Sequence, residues 1–493
     1  MNATAALSGL SPHAVWHHFA RLSGIPRGSG KEQEAAAFVQ GVGLALNLET
    51  RTDARGNVVI RKPATRGMED RPAVALQCHL DMVQQQVEGR GFDFDTDPIE
   101  LVVDGDWVTA NGTTLGADNG IGVALALAVL TGTELAHPAI EAVFTVDEEV
   151  GMTGAEALTA DQLSARYLIN LDMESDHELT IGCAGAVDIV AEGLCDERPL
   201  DAGSCQFELR VDGGLGGHSG LDIHLGRMNA IATLAETLAR LGQAVPLVLT
   251  FLEGGTVANV IPGSASARFA VAPQAVPMLQ AALAALPELI VPHLAAEAGV
   301  RITCEPVTGA VTKGLDPVFQ AALVEALRRL PTGVIAMSAS VPGLVETSNN
   351  LSTARVAEGR MRIVCLARSC VEGHKPAVLR AVQDCLAPTG AAITCANDAP
   401  GWEPVPDSAL LQVMSDACAA IHGQPPAVIA IHAGLETGIL SNTFPGMQMV
   451  SYGPNIEGAH TPGERVQISS VQKVWAVLQR TLATIPQEEG TAE

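Results

Sequence analysis

Six residues carry chemistry worth weighing first: His79, Asp81, Asp118, Glu148, Glu149 and Asp172. Taken singly, each has an ordinary reading. An H-x-D is usually a capped turn, a D-E-E run a solvated face, and an Asp before a helix an N-cap. Taken together they describe a metal centre. Imidazole nitrogen and carboxylate oxygen are donors that zinc accepts, and a catalytic site keeps one position open for water. Two metals about 3.5–4 Å apart need a bridging carboxylate, and they activate a shared water while polarising a carbonyl. Three carboxylates and a hydroxide balance the charge of two divalent cations. Within His79-x-Asp81 the acid can accept the second imidazole N–H and fix the ligand's tautomer. A glutamate left outside the metal shell would act as general base, then as acid toward a leaving amine. The set points to a paired-metal hydrolase.

Such residues work only if secondary structure brings them to one edge. The apolar runs 73–78, 140–146 and 167–171 suit buried strands of a parallel sheet. They end at His79 and Asp81, at Glu148 and Glu149, and at Asp172 respectively. Asp118 precedes a helical pattern over 121–130, so its loop belongs on the same edge. Strands alternating with helices predict an α/β fold, whose sites lie outside the carboxyl ends of the strands. From about 186 to 396 the character changes, and strands pair with long Ala-rich helices at 228–241, 275–298, 317–330 and 377–386. Two strand-and-helix groups, near 205–300 and 345–396, hint at a weak repeat. After Trp402 the earlier style resumes. The expected organisation is a discontinuous main domain, 1–185 plus 397–493, with 186–396 inserted as an α+β lid.

Composition bounds the partners. Lys plus Arg number 29 against 55 Asp plus Glu, a net charge of −26. That surface repels nucleic acid, and no basic run offers an anchor to an anionic membrane. At 47% hydrophobic the chain is still a folded one, with a core of mostly aliphatic residues because aromatics make up only 3%. The longest apolar run, 121–130, falls short of the ~20 residues that a membrane span needs. Met1–Leu22 shows no signal-peptide pattern, and the ten cysteines are scattered, so reduced thiols and a cytoplasmic location are expected. No G-x-S-x-G elbow argues for a serine hydrolase.

The motifs LQCHLDMV (76–83), LGADNGIGVALAL (115–127), FTVDEEVGMTGA (144–155), INLD (169–172), GGHSG (216–220), HAGLETG (432–438) and GPNIEGAHTPGERV (453–466) occur in this order. Together they resemble the dinuclear zinc exopeptidases of the aminoacylase and carboxypeptidase superfamily, and within it the aminoacyl-histidine dipeptidases. The likeness runs from about 10 to 485. It implies a mixed-sheet, zinc-exopeptidase-like catalytic domain with a lid that also dimerises. It implies two divalent ions, zinc expected and manganese or cobalt as alternatives. His79, Asp118 and Asp172 would hold one, and Asp118, Glu149 and His460 the other. Glu148 would be the general base acting on a metal-bridging water, and Asp81 would orient His79. His218 resembles the family histidine that reaches across a dimer interface to steady the oxyanion. Asn259 and Arg368 would grip substrate, Arg368 by its C-terminal carboxylate. His432 and Glu436 would shape the terminal pocket or serve structure. The SCVEG segment after Arg368 is less typical of this branch. The implied substrate is an unblocked Xaa-His dipeptide. Broader dipeptide hydrolysis or N-acyl amino acid deacylation are the sibling readings. A non-catalytic scaffold is the reading that an intact ligand set argues against.

Overall fold

The computed structural model describes residues 6–487 except 295, 296, 298 and 310, and the side chains of 286–294 are not described. The end of the helix expected to reach Ala298 therefore lies outside the described residues. The chain divides into two compact units. One comprises Met1–Gly182, Pro404–Ala430 and Leu435–Glu493; the other comprises Cys183–Glu403 and Ile431–Gly434.

The first unit is built on an eight-stranded mixed sheet in the order Glu49–Thr52, Val58–Lys62, Ile140–Thr145, Val74–His79, Tyr167–Asn170, Gln448–Ser451, Glu178–Cys183, Ala427–Ile431. Its centre is parallel: Val74–His79 pairs with Ile140–Thr145 on one side and Tyr167–Asn170 on the other. All three central strands are buried along their whole length, which is why they read as unbroken apolar runs. In this register His79 lies opposite Thr145 and Gln77 opposite Asn170, so the chain leaves all three strands at one edge. The helix Ala117–Thr131 packs on the Val74–His79 strand and on the helix His13–Leu22, and from Asn119 to Leu130 it is buried on every side. That explains its hydrophobicity all round. It begins before the expected 121 and takes in Asp118.

The second unit carries a nine-stranded sheet whose main path begins with Arg301–Pro306, Cys205–Asp212, Ala265–Val271 and Leu247–Gly254. It continues through Val345–Ala357, Arg360–Ser369, Gly185–Leu194 and Ala392–Ala399. The strand Gly333–Met337 pairs with Val345–Ala357 off this path. Chain order makes Cys205–Pro306 a β-α-β-β-α-β unit. The same order recurs in the other half if Gly185–Leu194, which precedes that stretch, is joined to the helix Pro317–Arg329 that follows it and the side strand Gly333–Met337 is set apart. The hinted repeat is thus present as topology, and its second copy opens at Gly185 rather than near 345. The halves join through Leu252–Gly254 against Val356–Ala354. Ala230–Ala244 and its fellow helices bury one face, where Leu234, Leu238, Phe269, Leu323 and Val382 form the core. Salt bridges such as Arg355–Glu253 and Arg362–Glu192 join exposed residues of neighbouring strands, and Arg268 pairs with the half-buried Glu208.

Candidate active site

The parallel strand ends of the first unit bring the predicted acids and histidines together. One donor atom each of His79, Asp118 and Asp172 lies within 4.8 Å of the others, and the same holds for Asp118, Glu149 and His460. Asp118 belongs to both groups. His79 Nε2 is 3.1 Å from Asp118 Oδ1 and 3.4 Å from Asp172 Oδ1. His460 Nε2 is 3.0 Å from Asp118 Oδ2 and 3.0 Å from Glu149 Oε2. Glu148 lies in neither group that shares Asp118; its Oε2 is 3.9 Å from His79 Nε2, and with His79 and Glu149 it makes a further group of the same spacing. Asp81, fully buried, has Oδ1 3.3 Å from His79 Nδ1. It also accepts the main-chain N–H of Glu148 at 3.0 Å and of Glu149 at 3.1 Å. One carboxylate therefore fixes both the imidazole and the turn carrying the two glutamates.

The electrostatics fit a pair of cations. Burial pushes Asp172 upward despite His79, and Asp118 and Glu149 add to the shift. Burial likewise pushes Glu148 well above the usual carboxylate range. Burial would raise Asp118 too, but hydrogen bonds from His460 and His79 hold it below its ordinary value. Hydrogen bonds to Asp118 and Glu149 carry His460 to about 11. Burial alone would lower His79, yet Asp172, Asp118 and Asp81 raise it well above normal. The buried carboxylates thus favour positive charge beside them. Glu149 Oε1 is buried with no hydrogen-bond partner. Two imidazoles, three carboxylates and an orphaned oxygen are a donor set suited to two divalent ions.

Three of the remaining predicted residues meet in the second unit. His218 lies on a two-residue strand paired with Val260–Ile261. Its Nδ1 accepts N–H groups from Gly220 at 3.2 Å and Leu221 at 3.0 Å. The neutral ring must then carry its proton on Nε2, the form that donates outward. Burial lowers its pKa, and the Arg368 charge lowers it further. His432 is buried with Nε2 2.7 Å from Ser348 Oγ; burial and then Arg368 push it down to about 3. The guanidinium Nε of Arg368 is buried without a partner. Asn259 is exposed, and its main-chain oxygen accepts the Ser219 N–H at 2.8 Å, which places its loop beside His218. Glu436 belongs instead to the first unit. It is buried beneath the Val74–His79 strand, accepting from Gln77 at 2.6 Å and Thr145 at 2.8 Å.

A family model described as peptidase family M20/M25/M40 matches residues 75–484. The chain belongs to this family. It is 38% identical over 486 residues to the cytosol non-specific dipeptidase of Escherichia coli K12, covering 97% of this chain and 99% of the relative. A crystal structure of aminoacylhistidine dipeptidase from Vibrio alginolyticus superposes with a TM-score of 0.92 at 37% identity, covering 98% of each chain. An aminopeptidase PepT structure from Bacillus cereus shares the fold at a TM-score of 0.56 and 16% identity.

In this M20/M25/M40 peptidase two groups around Asp118 escaped sequence reasoning. Glu464 is buried, and its carboxylate accepts four main-chain N–H groups: Leu115 at 2.7 Å, Gly116 at 2.8 Å, Ala117 at 2.7 Å and Asp118 at 3.2 Å. It holds the loop that presents Asp118. Arg27, also fully buried, donates to the carbonyls of Leu80 and Asp81 at 2.9 Å each and to that of Gly116. A Cβ at Gly116, where φ is +68°, would collide with this guanidinium and with the Met82 sulfur. Glu464 stands in the GERV ending, where its place in a motif was a usable signal. Arg27 stands in a loop with no periodicity to mark it.

Proposed function

We propose that this peptidase is a metal-dependent dipeptidase that cleaves unblocked dipeptides, Xaa-His dipeptides among them. The observation that carries the reading is the pair of donor groups sharing Asp118, with Glu148 beside them and in neither. His79, Asp118 and Asp172 would hold one ion, and Asp118, Glu149 and His460 the other. Zinc is the expected metal, with manganese or cobalt able to replace it. Bound there, the ions would polarise the scissile carbonyl and make a water acidic enough to attack at neutral pH.

The chain's own residues supply the rest. Glu148 takes the proton of the attacking water and passes it to the departing amine. Asp81 keeps His79 in one tautomer and holds the Glu148 main chain in place. His218 offers Nε2–H to the developing oxyanion, a role that preorganised donors perform at little reorganisation cost. Arg368, with an unpartnered Nε in a buried setting, would grip the substrate's C-terminal carboxylate, and His432 and Asn259 would line that end. Glu436 would act from behind the strand by bracing Gln77. We further propose that 186–396 serves as lid and dimerisation domain, that the protein is a homodimer, and that it is cytoplasmic. The Escherichia coli relative's name supports that location. It also favours a second reading, in which dipeptides without histidine are cleaved equally well.

The deciding experiment is a dipeptide panel varying the second residue around His, with an N-acetylated amino acid as deacylase control and metal content measured on the same sample. Preference for free dipeptides is expected, with activity abolished by chelator and restored by zinc, manganese or cobalt. Full activity in excess chelator would sink the metal reading, and turnover of the N-acetylated compound alone would make the chain a deacylase. If His218 acts across a dimer, mixing His218→Ala with Glu148→Gln subunits should restore activity toward about one quarter of wild type, since one hybrid site in a random mixture is intact. No recovery despite demonstrated subunit exchange would place His218 within its own subunit's site.

A further inference from the structure

Away from the residues assigned above, the first unit contains a second gathering of metal-binding side chains. Asp176 is fully buried, and neither of its carboxylate oxygens accepts a hydrogen bond. A buried carboxylate without donors is costly unless a cation faces it. His177 Nε2 lies 3.2 Å from Asp176 Oδ1, and this imidazole is 51% exposed. The ring of His422, the last residue of the helix Ala409–His422, stands 5.0 Å from that of His177. One donor atom from each of the three falls within 4.8 Å of the others.

Hydrogen bonding fixes what His422 can offer. The Tyr452 hydroxyl donates its only proton to the Asp176 carbonyl at 3.2 Å. His422 Nε2, 3.3 Å from the same hydroxyl oxygen, must then be the donor to it. The neutral ring is left with a bare lone pair on Nδ1, which is buried without a partner. Burial lowers the His422 pKa and so favours the neutral ring that metals bind, although Asp176 opposes the shift. Lys473 is the competing cation, but its Nζ is 3.7 Å from Asp176 Oδ2, too far for a hydrogen bond.

We propose that Asp176, His177 and His422 form a separate site for one first-row divalent metal ion of the zinc class. Two nitrogens and a carboxylate oxygen are an established donor set for such ions, and the exposed side of His177 leaves room for water as a further ligand. The 3.2 Å between His177 Nε2 and Asp176 Oδ1 matches the spacing of two ligands around a tetrahedral zinc, about 3.3 Å from bonds of about 2.0–2.1 Å. Its role is structural. The ion ties the segment following Asp172 to the end of a helix more than two hundred residues later in the chain.

The test is zinc stoichiometry after equilibrium dialysis, on the full-length wild type and on His177→Ala/His422→Ala. The double variant is expected to bind one equivalent fewer. His177→Gln, a change at an exposed position, should weaken that equivalent at least about tenfold. Cobalt loading of an Asp118→Asn/His460→Ala background should still give a visible d–d band, which the added double change removes. Equal zinc content in wild type and double variant, or a cobalt band indifferent to the triad, would overturn the site and leave an ordinary ion pair among Asp176, His177 and Lys473. Because the readout is a difference of one equivalent, it is independent of what the Asp118 groups bind.

Discussion

Glu148→Gln is expected to lower kcat by about 10²–10⁴ while metal content stays at the wild-type level. The amide preserves shape and can still donate or accept a hydrogen bond, but it cannot take a proton from water. Its neighbour should behave in the opposite way. Glu149 Oε2 lies 3.0 Å from His460 and belongs to a donor group that shares Asp118, whereas Glu148 groups with His79 and Glu149 apart from Asp118. Glu149→Gln should therefore lose metal first and activity as a result, with excess metal restoring part of it. Kinetics paired with metal analysis separates the two. Full turnover in Glu148→Gln would assign the base elsewhere, and metal loss in that variant would make Glu148 a ligand.

Glu464→Leu should be the most damaging change to stability. It strips four main-chain N–H groups of their acceptor and leaves the buried Arg27 guanidinium without the carboxylate that most offsets its burial. Breaking a buried, charge-compensated arrangement from one side costs about 3–5 kcal/mol. For a unit of this size that corresponds to a fall in Tm of about 6–20 °C. Metal affinity should drop about 10–100-fold, because the loop presenting Asp118 is no longer held. Glu464→Gln keeps one accepting oxygen and should fall in between. Thermal unfolding and metal titration of both variants check this, and a Leu variant with unchanged Tm and affinity would remove Glu464 from the site.

Much of the fold was legible because the central strands are buried on both faces. Val74–His79, Ile140–Thr145 and Tyr167–Asn170 had to be apolar throughout, and each ends beside a chemically distinctive residue. The strand Val345–Ala357 was not legible. Its buried positions include Thr347, Ser348, Asn349, Asn350 and Ser352, so neither alternation nor an apolar run marks it. Side-chain hydrogen bonds such as Asn350 to the Val260 carbonyl make those residues tolerable inside. The proposed metal ligands stood out by type and position, whereas Arg27 works through main-chain carbonyls. A residue whose partners are backbone atoms leaves no complementary letter elsewhere in the sequence. His432 and Glu436 show a similar limit. Four positions apart in one motif, they fall in different compact units, and only three-dimensional neighbours separate Ser348 as one partner from Gln77 and Thr145 as the others.

The cradle that Glu464 makes around the Asp118 loop also sets an order of events in the cell. The loop depends on a side chain that lies 346 residues further along the chain than Asp118. At about 5–20 residues per second, tens of seconds of synthesis separate the two. For most of that interval the nascent protein holds His79, Glu149 and Asp172 but lacks the clamp on the Asp118 loop, and His460 has not yet been made. On the proposed ligand set, hydrolytic competence is expected only once Glu464 has been made, and nascent chains shorter than that should be inactive on the ribosome.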